Sequence, residues 1–246
     1  MNPPHPDWIS PKWPAPANVR ALITTRAGGV SLGPYASLNL GLRTGDDPQA
    51  IAANRAALRA TLPQDPTWLT QVHGSRVVDA DVAVTRPEAD AAVARRAGTV
   101  CAVLVADCVP VLFADRTGTI VAIAHAGWRG VASGVVENTV RSMQCEPGEV
   151  LAFLGPGIGP RAFEVGPDVL HAFVDSDPEM QSAFVPSSPG KWLADLFALA
   201  RRRLRRAGVT HISGGGLCTY SDAARFFSYR RERTTGRMAA VIWLSD

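Results

Sequence analysis

Two histidines and one cysteine stand where apolar segments of the chain end. His73 and His125 each close an apolar run and are followed within two residues by glycine, and Cys108 follows Asp107 after the most apolar run. Strand ends on the same edge of a sheet converge, so these three side chains can meet although they are distant in sequence. Two imidazoles and a thiolate suit zinc and leave its fourth tetrahedral position open. Their pattern indicates a catalytic zinc site, where a bound water can have a pKa of about 7.

Each of the three residues also has an ordinary structural explanation. A single buried cysteine behaves as a small hydrophobic residue, and a single histidine is usually a hydrogen-bonded core or surface residue. No CxxC or HExxH spacing singles the three out, so the spacing alone leaves both explanations open. Among the other candidates, Cys218 is a weaker functional one after three glycines, and we expect structural roles for His171, His211, Cys101 and Cys145.

Charged residues suited to anions and to proton transfer surround these positions. Arg129 lies in a glycine-flanked turn before a predicted helix, whose N-terminus attracts anions. Arg26, beside two glycines, and Arg55, on the first long helix, could join it, although each arginine could equally be a solvated surface charge. Asp107 could orient a histidine or carry a proton, or it could cap the turn with its side chain.

The segments that must position these residues alternate between strand and helix patterns. Apolar runs of strand length predict strands at 19–25, 67–72, 76–84, 99–106, 109–114, 119–124, 150–154 and 238–244. Capping and periodicity predict helices at 46–62, 131–143, 167–174 and 193–207. Residues 1–18, with six prolines, predict an extended arm that lies on the body. We therefore expect one mixed α/β domain over residues 19–246.

Composition narrows the class of protein. The chain has 246 residues, of which 46% are hydrophobic and 19% charged, as in compact globular proteins. A net charge of +3 is too small to indicate a nucleic-acid partner, and no run approaches the roughly 20 apolar residues that cross a bilayer. The N-terminus lacks the pattern of a secretory signal, and four widely spaced cysteines favour reduced thiols in the cytoplasm.

Eight motifs in order give the chain a family resemblance. It resembles the laccase-domain proteins, once called multicopper polyphenol oxidases and now regarded as purine nucleoside phosphorylases, whose bacterial members include peptidoglycan editing factors. The resemblance covers the chain from residue 19 to the C-terminus. The matching motifs are Thr24-Thr-Arg-Ala-Gly-Gly-Val-Ser31, Gly33-Pro-Tyr-Ala-Ser-Leu-Asn-Leu-Gly41, Gln71-Val-His-Gly74, Ala106-Asp-Cys-Val-Pro110, His125-Ala-Gly-Trp-Arg-Gly130, Gly155-Pro-Gly-Ile-Gly-Pro160, Phe163-Glu-Val-Gly166 and Phe226-Phe-Ser-Tyr-Arg-Arg231.

The resemblance implies both a fold and an activity. The fold is a single α+β domain in which helices cover two stacked mixed sheets, as α/β/β/α layers, and zinc is held by His73, Cys108 and His125. The activity is phosphorolysis of adenosine, inosine, guanosine or methylthioadenosine to the free base and ribose 1-phosphate, with deamination of adenosine as a side activity. Asn39 and Arg55 match family positions near the nucleoside and the phosphate. We expect a monomer or a weak homodimer without nucleic-acid or membrane partners.

Three other functions stay open at the level of the sequence. A copper-dependent polyphenol oxidase is one, because two histidines and a cysteine can also bind copper, although the chain has only five histidines and no HxH pair. A second is a cytoplasmic hydrolase that removes misincorporated L-serine from peptidoglycan precursors. A third, non-enzymatic, possibility is a metal-dependent binding module.

Overall fold

Two large β-sheets packed face to face form the body of the protein. The computed structural model describes residues 1–83 and 85–246. In strand order, the first sheet contains β1 (Val19–Ile23), β13 (Met238–Leu244), β5 (Cys101–Val105) and β2 (Thr67–Trp68). The second contains β12 (His211–Gly214), β8 (Val150–Leu154), β6 (Val109–Asp115), β7 (Val121–Ala126), β4 (Ala91–Ala94) and β3 (Val77–Asp79). A small sheet of β10 (Phe184–Pro186), β11 (Trp192–Ala194) and β9 (Glu164–Val165) lies beside them.

Helices cover the outer faces of the two large sheets. They are α1 (Pro48–Arg59), α2 (Trp128–Ala132), α3 (Val135–Met143), α4 (Pro167–Val174) and α5 (Leu196–Arg206), and a short helix α6 (Tyr229–Glu232) precedes the last strand. Short 3-10 turns occur at Gly33–Tyr35, Pro147–Glu149 and Pro178–Ala183. No helix in the described part of the chain is long and apolar enough to cross a membrane.

Three apolar clusters separate the layers. Between the sheets, Val103 of the first packs with Leu112 and Ile123 of the second. On the outer side of the first sheet, Leu58 of α1 joins the buried side chains of that sheet, and α3, α4 and α5 close the outer side of the second. Burial of apolar surface at about 25 cal/mol per Å² stabilises all three interfaces. The α/β/β/α arrangement of an α+β domain is thus confirmed.

The most apolar predicted strands occur as expected, and the polar ends of others differ. The strand predicted at 67–72 contains only Thr67–Trp68, because the chain then leaves the sheet: Thr70 donates its N–H to Pro87, and residues 72–74 donate theirs to a buried carboxylate. The strand predicted at 76–84 is Val77–Asp79, and Val84 lies outside the described residues. The helix predicted at 131–143 is divided into α2 and α3 at Gly134, whose φ of 90° is left-handed and interrupts helical geometry.

The segment predicted as one helix at 193–207 also contains two elements. Residues up to Ala194 form strand β11, and α5 begins only at Leu196, because the Asp195 side chain accepts the N–H of Ala198 and caps the helix.

Residues 1–18 lie against the body through apolar contacts. Ile9 forms a bridge to Ile23 at the edge of the first sheet. Trp8 is buried and donates its indole N–H to Ala27, and Trp13 packs edge-on against Phe153 at 6.0 Å between ring centroids. The division of the chain at residue 18 into arm and domain stays a prediction.

Candidate metal centre

The fold brings His73, Cys108 and His125 together where the two large sheets meet. His73 follows β2, Cys108 lies in the connection that carries the chain from β5 of the first sheet to β6 of the second, and His125 is in β7 opposite Pro110. The ligand atoms of the three lie within 4.8 Å of one another. His125 is buried, Cys108 is half-buried and His73 is exposed, so the cluster opens to solvent on the His73 side.

A buried carboxylate, Asp90, fixes two of these residues at once. Its oxygens accept the backbone N–H groups of Val72, His73 and Gly74 at 2.7–3.1 Å, and it contacts Nδ1 of His125 at 2.9 Å. These bonds hold His73 at a φ of 61°, a left-handed backbone that a residue other than glycine seldom adopts. Fixing Nδ1 leaves Nε2 of His125 as the ligand nitrogen, as is usual in metal sites.

Asp90 was missed by sequence reasoning. Its signal is weak, because it is a single acid directly before the short apolar run of β4, and no motif surrounds it. Its closeness to His125 appears only when β4 pairs with β7, which places Ala91 opposite Ala124.

Electrostatics favour the thiolate form of Cys108. Burial alone would raise the pKa of the thiol, but the charge of His125 and hydrogen bonds to both histidines hold that pKa well below its ordinary value. For His125, burial would lower the pKa, yet Cys108 and Asp90 together raise it. The thiolate is the form of cysteine that binds metals, so the charge state of Cys108 favours binding of a cation.

The space beside the thiol depends on a glycine. A Cβ added at Gly127 would lie 2.8 Å from Sγ of Cys108, closer than real Cβ contacts, and a tight 3.1 Å from Cδ2 of His73. Two nitrogens, one thiolate and a cleared volume next to them fit a metal ion of the zinc or copper class. The donor types alone do not separate these two metals.

Asp107, the acid predicted from the sequence, does not orient a histidine. Its Oδ1 accepts the hydroxyl of Thr219 at 2.6 Å and its Oδ2 accepts the N–H of Arg230 at 2.7 Å. Asp90 makes the orienting contact instead, because β4 lies beside β7, whereas Asp107 faces Thr219 and the start of α6. The carboxylate of Asp107 nevertheless stays next to Cys108 in the chain.

Asn39 and Arg26 are engaged by the protein itself. Both amide hydrogens of Asn39 are donated, to Thr44 and Asp46, and its Oδ1 accepts the N–H groups of Gly41 and Arg237. That set exhausts the capacity of an amide, so the structure favours a positioning role for Asn39 over direct contact with a nucleoside.

Arg26 holds two loops together. It donates to the carbonyls of Ala36 and Ala223 and lies 3.7 Å from Glu232. These contacts indicate that Arg26 holds the loops in place.

Arg55 and Arg129 have fewer partners. Arg55 donates twice to the carbonyl of Leu40 and stacks over Trp68 at 4.2 Å, and burial, with the charge of Arg86, lowers its pKa to about 10. Arg129 is exposed and stacks over Trp128 at 4.3 Å. In the described part of the chain neither forms an ion pair with a carboxylate, so both are available to an anion.

A cavity of about 820 Å³ lies between the start of α5 and the loops after β8 and β12. It includes Cys218, whose Sγ accepts the N–H groups of Gly159 and Ser221. Of the described residues that line it, none is His73, Cys108 or His125. The candidate site is therefore the group of converging donor atoms, and the cavity is separate from it.

The fold and this cluster define a class of α/β/β/α proteins with a two-histidine, one-cysteine site. The chain belongs to the family described as multi-copper polyphenol oxidoreductase laccase, whose model matches residues 20–245. This confirms the resemblance of the sequence motifs.

Close relatives carry a more specific name. The chain is 55% identical to a purine nucleoside phosphorylase of Pseudomonas aeruginosa, covering 97% of this chain and 99% of that one, and 52% identical to purine nucleoside phosphorylase YfiH of Escherichia coli, covering 96% and 98%. A crystal structure of a Neisseria meningitidis protein superposes with a TM-score of 0.95 at 51% identity, covering 98% of this chain and all of that one. YlmD from Geobacillus stearothermophilus gives a TM-score of 0.87 at 35% identity, covering 94% and 93%.

Proposed function

We propose that the protein is a zinc-dependent purine nucleoside phosphorylase. Its substrates would be phosphate and adenosine, inosine, guanosine or methylthioadenosine, and its products the free base and the sugar 1-phosphate. The observation that carries the proposal is the convergence of His73, Cys108 and His125 in a chain that is 52–55% identical, along almost its whole length, to relatives named for this activity. We also propose that it works in the cytoplasm as a monomer or weak homodimer, since its four cysteines are free thiols.

The reaction requires an anion to be held near a purine that leaves with an electron pair. A phosphate oxygen forms a bond to the anomeric carbon while the bond from that carbon to the purine nitrogen breaks, and the purine takes up a proton. Arg55 and Arg129 would draw the phosphate in, and Arg26 and Asn39 would hold the surrounding loops. A zinc ion at the cluster would supply positive charge against the charge that develops in the transition state.

Deamination of adenosine is proposed as a side activity of the same site. Water replaces the amino group at C6 of the purine, and ammonia leaves. Asp107, beside Cys108 and held by Thr219 and Arg230, would carry the proton to the leaving nitrogen.

Incubation of zinc-loaded protein with adenosine, with and without phosphate, tests both activities. Chromatography should show adenine and ribose 1-phosphate only when phosphate is present, and inosine in either case. Absence of both adenine and inosine would contradict the proposed function.

Two cysteine variants provide a matched comparison. Cys108→Ser should abolish base release, because a hydroxyl is a poor ligand for zinc. Cys145→Ser should retain it, because Cys145 is a half-buried free thiol outside the cluster. Equal loss in both variants would point to general damage and not to a ligand role.

The family description favours an oxidase as the second candidate. Metal analysis of the purified protein, together with dioxygen consumption in the presence of phenols, distinguishes the two. Stoichiometric copper with dioxygen uptake would replace the phosphorylase proposal, and zinc without uptake would support it.

A further inference from the structure

Arg237 lies beside the candidate metal cluster, at the start of β13. The register of β13 and β5 places Met238 opposite Val105, so Arg237 stands at the end where β5 runs into Asp107 and Cys108. Nothing in the sequence singles it out, because this closeness depends on the pairing of β13 with β5, whose paired residues, such as Met238 and Val105, are far apart in the chain.

The backbone of Arg237 is fixed on both sides. Its N–H donates to Oδ1 of Asn39 at 2.9 Å, and its carbonyl accepts the N–H of Leu40 at 3.0 Å. Its stem packs on Gly41, where an added Cβ would lie 2.7 Å from Cγ of the arginine. The side chain therefore leaves the strand in a defined direction.

The guanidinium of Arg237 is only partly used by the protein. Nη1 donates to the carbonyls of Thr235 and Gly236 at 3.0 and 2.9 Å. Within residues 1–83 and 85–246, no acceptor bonds to Nε or Nη2, and no carboxylate forms an ion pair with this arginine. The edge formed by Nε and Nη2 is the edge that binds a phosphate or carboxylate with two parallel hydrogen bonds.

Arg237 is half-buried, and partial burial of a cation without a carboxylate partner carries a cost. Burial lowers the pKa of Arg237, while the charges of Cys108 and Asp107 act in the opposite direction. A cation bound to Cys108 would neutralise the thiolate and remove part of that compensation. An anion supplied by the substrate would then complete the charge balance beside Arg237.

We propose that Arg237 binds the phosphate substrate directly, through the Nε and Nη2 edge of its guanidinium. This inference rests on the proposed phosphorylase function and gives its phosphate an inner contact next to the cluster. Arg129, which is exposed, would attract phosphate from solvent, whereas Arg237 would fix its orientation for attack on the anomeric carbon. Asn39 would be a positioning residue, because it holds the backbone of Arg237.

Two variants of Arg237 test the contact, with the KM for phosphate and the KM for the nucleoside measured separately. For zinc-loaded Arg237→Gln, we expect the KM for phosphate to rise by about 10- to 100-fold, the effect of losing charged hydrogen bonds, while the KM for adenosine changes less than about threefold. Arg237→Lys should be intermediate, because an ammonium keeps the charge but not the two-pronged geometry.

Arg233→Gln is the matched control. Arg233 and Arg237 both stack over the ring of Tyr229, at 5.6 and 5.8 Å, but Arg233 is exposed. Its loss should leave both KM values within about twofold of the wild type, whereas Arg129→Gln should have an effect smaller than Arg237→Gln.

Calorimetric titration of each zinc-loaded protein with inorganic phosphate, without nucleoside, separates this inference from the proposed function. Weaker phosphate binding by Arg237→Gln supports the contact even if no purine is released by the wild type. Base release by the wild type, with phosphate affinity unchanged in Arg237→Gln, would overturn the contact and leave the phosphorylase standing. Absence of phosphate binding by the wild type would also overturn it. If Arg237→Gln is misfolded by circular dichroism, the same comparison is made with Arg237→Lys.

Discussion

Gly127 leaves space beside the candidate metal cluster because it has no side chain. Its φ of −70° suits any residue, so substitution by alanine adds a methyl group without backbone strain. That methyl group would crowd Cys108 and His73. We expect Gly127→Ala to bind zinc at least about tenfold more weakly, as disturbed metal geometry typically does, and competition with a chromogenic chelator measures the change.

Gly148→Ala is the control for this prediction. Gly148 lies in the turn before β8, and an added Cβ there meets no atom within 4 Å. Its zinc affinity should equal that of the wild type. Equal affinity in Gly127→Ala as well would show that the cleared space has no part in binding.

Asp90 and Asp115 allow a comparison of two buried acids. Asp90→Asn replaces an acceptor of three N–H groups and one imidazole, so we expect zinc affinity to fall by about 10- to 100-fold. Asp115→Asn disturbs only the turn between β6 and β7, where the carboxylate accepts from Thr119 and Ile120. This variant should unfold at lower urea concentration yet keep its zinc affinity.

At the scale of elements, one buried acid joins α5 to the segment after α4. Asp177 contacts Arg202 and Arg206 at 2.6–3.0 Å. Hydrogen bonds from Arg202, and to a smaller extent from Arg206, lower the pKa of Asp177 to about 2. They outweigh the effect of burial, which would raise that pKa. In the unfolded chain an aspartate has a pKa of about 3.9.

The acid dependence of stability follows from this difference in pKa. Because the folded value is the lower one, the stabilising effect is complete above about pH 4 and is lost as the pH falls towards 2. Asp177→Asn should therefore have a lower urea midpoint than the wild type at pH 7, and the difference should shrink between pH 4 and 3. Asp175→Asn, at an exposed pair with His171, should show no such trend.

Elements were predictable where the pattern is local. The fully buried strand Val150–Leu154 and helix α4 follow from apolar runs bounded by glycine and proline. The division of α2 from α3 was missed because a single glycine inside an amphipathic pattern can also be tolerated in a helix. The end of β2 was missed because Asp90, which accepts the N–H groups of Val72 to Gly74 beyond that strand, is 16 residues or more further along the chain.

At the scale of the whole molecule, local patterns reveal residue types but not strand pairing. His73, Cys108 and His125 stood out because metal-binding residue types closed apolar runs. Asp90 and Arg237 did not, because an aspartate or arginine at a strand end has many ordinary roles. Their relation to the cluster arises from the pairing of β4 with β7 and of β13 with β5, which no short segment encodes.

The position of the cluster would link binding of a metal to the stability of the entire domain. His73 and Cys108 lie in connections that run from the first sheet to the second, and His125 is within the second. An ion bound by all three would tie the sheets together. Because a ligand that binds only the folded state stabilises it, zinc at about 100 times its Kd contributes about 2.7 kcal/mol.

For a domain of this size, that stabilisation corresponds to a rise in Tm of about 5–10 °C. Calorimetry of metal-stripped protein with and without added zinc should show this rise in the wild type. The rise should be absent in His73→Ala, which removes an exposed candidate ligand without creating a buried cavity. It should be present in His171→Ala, which removes an exposed histidine outside the cluster. An equal rise in His73→Ala would mean that zinc stabilises the protein from another place.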